Sequence, residues 1–166
     1  MKKKLPYIII GVVSAAVIAF IVWQMVHSVS REDVFEEACR EACKGFSSYS
    51  GDADGYKITT YTKGNPSTTV VLNRYRDSLK AAKAFETRTV STIGTIPEDG
   101  KVQYNAHGTT VYLVHNRHND KYYCIGLIGD KMIFGIRSVD GNFFSTLFTA
   151  IRDTYFSKCV ERGRGL

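Results

Sequence analysis

The chain has 166 residues, a formal charge of +6 and ten tyrosines. Lys2, Lys3 and Lys4 carry half of that charge, so residues 31–166 are left at +3, too weak and dispersed an excess to draw nucleic acid. Residues 31–166 are one domain's worth of chain, with no repeats and no low-complexity segment, and are long enough to bury a core unaided.

The first segment is a basic stub, residues 1–4, followed by an uncharged run, residues 5–29. Tyr7 to Val26 supplies the roughly 20 apolar residues that a membrane-spanning helix needs. Tyr7 and Trp23 stand about 24 Å apart at the helical rise, which sets one amphipathic ring near each interface. The lysines before the span, against Arg31 answered by Glu32 and Asp33 after it, predict a cytoplasmic N-terminus and an extracytoplasmic C-terminal domain in the cell membrane. The same start also fits a signal peptide cut after Ser28-Val29-Ser30, which would release a secreted domain; the length of the apolar run favours a retained signal-anchor. His27 ends the span as an interfacial polar residue.

Residues 30–160 then form the extracytoplasmic domain. A helix is expected over Arg31 to Phe46, with acids crowding its first turns and an apolar stripe of Phe35, Ala38, Cys39, Ala42, Cys43 and Phe46. Ser47 to Gly55 reads as a polar loop. Tyr56 to Thr62 and Thr68 to Tyr75 are strands joined by turn chemistry at Lys63-Gly-Asn-Pro66. Asp77 or Ser78 caps a helix whose apolar face reads as Leu79, Ala82, Phe85 and Val90, and Ile93 to Gly100 is loop. Three strands follow as a meander, Thr109 to His115, Tyr122 to Ile128 and Lys131 to Arg137, the last pair joined by a two-residue Gly129-Asp130 hairpin. Asp140-Gly-Asn142 opens the final helix, whose core face is Phe144, Leu147, Phe148, Ile151, Tyr155 and Cys159. The tail, residues 161–166, is expected to be disordered.

The order α-ββ-α-βββ-α, with short turns between strands, predicts an α+β fold. After the membrane helix comes a two-layer domain, an antiparallel sheet of about five strands with the helices packed on one face.

Four cysteines in an exported domain suggest disulfides. Cys39 and Cys43 are one helical turn apart and gain little from bridging each other. The first helix is therefore expected to be tied to Cys124 or Cys159, closing a loop worth about 4–5 kcal/mol in the chain-entropy model. His107 and His115 would lie about 26 Å apart on one strand. His115 and His118 flank a turn and are the weak candidates for a metal, since a third ligand is missing. No nucleophile motif, zinc-protease motif or phosphate loop is present, so no catalytic residue and no cofactor are expected. Tyr56, Tyr61, Tyr112, Tyr122 and Tyr123 lie on strands. If helices cover one sheet face, such rings would mark the other as a binding surface.

These readings converge on a single-pass, membrane-anchored extracytoplasmic domain. Its expected role is non-enzymatic, binding or assembly at a cell envelope, with the lipid bilayer as one partner through residues 5–29 and a protein or other envelope component as another. The alternative from a different class is an envelope enzyme or metal-binding protein using the His115–His118 region.

Overall fold

The computed structural model describes residues 29–94, 101–106 and 109–162. The expected membrane span, the basic stub, His27, His107 and the end of the tail lie outside them. Among the described residues no helix is long and apolar enough to cross a membrane. Arg31–Leu166 forms one compact unit.

Among the described residues that unit is α+β, three helices on a fully antiparallel sheet of seven strands. The elements are α1 (Arg31–Ala42), β1 (Ser47–Ala53), β2 (Tyr56–Lys63), β3 (Thr68–Tyr75), α2 (Ser78–Ile93), β4 (Lys101–Ala106), β5 (Thr109–Asn116), β6 (Lys121–Ile128), β7 (Met132–Ser138) and α3 (Gly141–Glu161). The sheet order is β1-β2-β3-β7-β6-β5-β4, so each meander folds up locally and the two join where β3 pairs with β7.

Two strands beyond the expected five account for the size of the sheet. β1 replaces the expected polar loop. Its residues alternate with nothing because it is an exposed edge, paired only to β2 through the turn Asp54–Gly55, with Gly55 at φ +83°. β4 closes the other edge against β5. The link between β6 and β7 spans three residues, since Ile128 pairs directly with Met132.

The helices do not share one face. Alternate residues of β7 point to opposite sides of the sheet. Met132, Phe134 and Ile136 enter a core with Val34, Phe35, Ala38 and Cys39 of α1 and Phe144, Leu147, Ile151 and Tyr155 of α3. Ile133 instead packs with Ala81, Ala84 and Phe85 of α2. The domain therefore has three layers, α1 and α3 on one face and α2 alone on the other.

Packing and charge together hold α1 in place. Phe35 meets Phe134 edge-on at 4.8 Å between ring centres and Tyr155 at 5.2 Å. On the sheet side Asp33 and Glu36 receive Arg74, and Lys57 lies 3.7 Å from Glu36. On the α3 side Lys158 bridges Glu37 at 3.1 Å and Glu41 at 3.0 Å, and Arg162 reaches Glu37 at 2.6 Å. These contacts hold the Glu37 carboxyl below, and the Lys158 amine above, their ordinary ranges. Buried Glu32 accepts the Asp130 amide at 3.3 Å across the β6–β7 turn. That turn requires glycine: Gly129 sits at φ +59°, and a Cβ there would run into the Glu32 carboxylate.

Asp77 and Asp140 cap α2 and α3 as the sequence suggests, Asp77 accepting the Leu79 and Lys80 amides and Asp140 the Phe143 amide. Of the expected face of α2, only Phe85 packs inward. Leu79 and Val90 are 80 % and 65 % exposed, while Ala81 is fully buried. Small residues at Ala81 and Ala84 let the helix lie close to the sheet, and that close approach decides which side faces inward.

Candidate binding groove

α2 covers only part of its sheet face. Beside it lies an open groove of about 400 Å³, floored by β3, β7 and β6 and walled by Arg88 and Thr92 of α2. Val71, Ile125 and Ile133 give the floor an apolar surface, and Thr69, Tyr123 and Arg137 stand at its margin. This volume is within the usual range for sites that take small ligands.

Gly135 lies in the floor. It lies mid-strand in β7, paired with Val71 on one side and Ile125 on the other. Its backbone does not need glycine, because its φ is not in the left-handed region and an added Cβ would meet only the Cys124 carbonyl, at an ordinary 3.5 Å. A glycine inside a strand weakens the strand and often marks a place where another molecule or chain comes close. Arg88 is half-buried at the groove wall. With the Asn73 amide turned oxygen toward α2, that oxygen accepts from both terminal nitrogens of the Arg88 guanidinium, Nη2 at 3.0 Å. Asn73 itself is fully buried under the helix, so the arginine is fixed in direction.

The tyrosines expected to share a binding face divide between the two sides. Tyr123 lines the groove, and its hydroxyl accepts from Asn119 Nδ2 at 3.2 Å. Tyr112 stacks on Phe85 of α2 and Tyr56 on Tyr75, both on the same face. Tyr61 is 7 % exposed in the core below α1, where burial pushes its phenol up to about 12. Tyr122 also points to the α1 side, stacked on His115 at 4.3 Å and against Phe144. Strand parity separates adjacent Tyr122 and Tyr123, and it places Tyr61 opposite to Tyr56.

His115 is turned to Asp120, its Nε2 at 2.8 Å from the carboxylate, and its ring lies parallel on Tyr122. His118 is exposed on the hairpin, and its backbone amide donates to the Asn116 side chain. Among the described residues no three His, Cys, Asp or Glu side chains converge as a metal site. Cys39, Cys43, Cys124 and Cys159 are all buried free thiols in the α1–α3 core, so neither expected bridge from α1, to Cys124 or to Cys159, is formed. Burial drives the Cys39 and Cys124 thiols well above their ordinary range and Cys43 to about 12, which leaves them neutral and unreactive.

Sequence reasoning passed over Gly135, Arg88 and Arg137. One signal was present: Ala81, Ala84, Phe85, Arg88 and Thr92 follow helical spacing, a stripe hidden because its last members are polar. No protein-family model matches the chain, and no curated protein is similar enough to it to count as a relative.

Proposed function

We propose that this chain is a single-pass, membrane-anchored extracytoplasmic domain with a non-enzymatic binding or assembly role at the cell envelope, and that it binds through the groove beside α2. The observation that carries the reading is Gly135. A central strand position that accepts a side chain without strain is left bare, and it lies in the apolar floor of the opening of about 400 Å³. The membrane half of the reading is supported by Lys2 to Lys4 and by the uncharged run from Leu5 to Val29.

Two measurements test it. A photo-crosslinking residue placed at Tyr123 in the full chain should yield an envelope adduct that the same residue at exposed Leu79 does not, and Gly135→Leu should abolish it by filling the floor. A topology reporter fused after Leu166 should be active outside the cytoplasm. An adduct indifferent to Gly135→Leu refutes the groove, and a reporter active only in the cytoplasm refutes the placement.

A further inference from the structure

Among the described residues, no acid balances the charge that the groove carries. On the opposite face Lys57, Arg74, Lys158 and Arg162 are all matched by Asp33, Glu36, Glu37 and Glu41 of α1. At the groove, among the described residues, Arg88 meets the neutral amide of Asn73 and neither Arg88 nor Arg137 has a carboxylate partner. Among the described residues no carboxylate lines the groove. A half-buried guanidinium without a countercharge is costly, and an anion brought from outside removes the imbalance. The Asn73 contact leaves Arg88 further N–H donors, and a planar fork held in direction suits a carboxylate or phosphate.

We infer that the groove binds a small organic anion, a carboxylate or phosphate monoester on an apolar body, with the anionic head at Arg88 and Arg137 and the body over Gly135. This inference rests on the groove reading and adds the chemistry of the ligand. Thr69 and Thr92 supply hydroxyls at the margin, and Val71 and Ile125 supply the apolar surface for the body.

The test uses the full chain, labelled with ¹⁵N at glycine and threonine, in phosphatidylcholine nanodiscs. 4-Phenylbutyrate, phenyl phosphate and neutral 4-phenylbutanamide are titrated separately. The two anions should shift the Gly135, Thr69 and Thr92 amide signals together and saturably. The neutral amide should bind about tenfold more weakly, the size expected when a charge-assisted hydrogen bond is lost. Arg137 is exposed, so Arg137→Gln should leave the fold intact; it should weaken the anions about tenfold and leave the neutral amide unchanged. Gly135→Leu should block all three. Equal binding of acid and amide, or anion binding untouched by Arg137→Gln, overturns the anion assignment and leaves the groove as a binding site. No saturable shift at Gly135 with any probe, or shifts confined to residues away from the groove, also overturns it. The groove reading is then decided by the crosslinking experiment alone.

Discussion

Raising the pH from 8 to 10 will destabilise the reduced protein by about 4 kcal/mol through its buried thiols. Cys39, Cys43 and Cys124 are 0 %, 3 % and 1 % exposed, and burial raises the value of each thiol from an ordinary 9.0. In the unfolded chain these thiols lose their protons near pH 9; in the folded chain they keep them. Their stabilising contribution is therefore complete below about pH 9 and is lost as the pH climbs toward the folded values. Between pH 8 and 10 an unfolded thiol gains about 1.4 kcal/mol over one held neutral, and three such thiols give the stated sum. Tyr61 and Tyr155, pushed up to about 12 chiefly by burial, extend the loss above pH 10. Urea unfolding at pH 8, 9 and 10 with a phosphine reductant measures the slope directly. Replacing Cys39 and Cys124 together by Ala should remove about two thirds of it, whatever the change in absolute stability. Omitting the reductant tests for a bridge, because each disulfide takes two thiols out of titration. A loss below about 1 kcal/mol in the reduced wild-type chain would refute the reasoning, since even one neutral buried thiol accounts for more.

Three further outcomes are expected from thermal or urea unfolding. Gly129→Ala should cost about 2–3 kcal/mol, the sum of a left-handed backbone for alanine and the displacement of Glu32 from the Asp130 amide; a cost under about 0.5 kcal/mol would show that the turn relaxes freely. Gly135→Ala should instead stabilise the domain by about 0.5–1 kcal/mol, because it restores a side chain to a strand with room for one. A loss of stability there would mean that the glycine serves packing and not an opening. Ala81→Leu should destabilise by about 1–3 kcal/mol through overpacking against the sheet, whereas Leu79→Ser should change stability by less than about 0.5 kcal/mol. The reverse order would restore the helix face that hydropathy alone suggests.

Much of the fold was legible residue by residue. Tyr56, Thr68 and Tyr75 mark strand ends that the structure keeps, and Asp77 and Asp140 cap the helices they precede. Five of the six core residues expected on α3 are buried, and Phe148 packs half-buried against the same core. These features are local. A capping carboxylate, a strand of β-branched residues and a helical stripe each act within a few residues of themselves. β1 was missed because an edge strand with both faces wet leaves no apolar alternation to read. The candidate site was nearly invisible, because Gly135 looks like a defect in a strand and Arg88 like a solvated charge on a helix.

The sequence alone determined which residues share a face of each element, since that follows from periods of 2 and 3.6 along the backbone. It did not determine what covers that face. Ile133 and Phe134 are adjacent and equally apolar, yet one meets α2 and the other meets α1 and α3. Only the tertiary structure settled that α2 crosses to the second side of the sheet, where Ala81 packs over Ile133 of β7 and the groove opens beside the helix. Burial energy depends on apolar area and not on the identity of the partner, so one pattern is satisfied by any helix that arrives. Geometry across β3, β6, β7 and α2 chose the partner, and with it the bare floor at Gly135 beside two arginines that have no acid partner among the described residues.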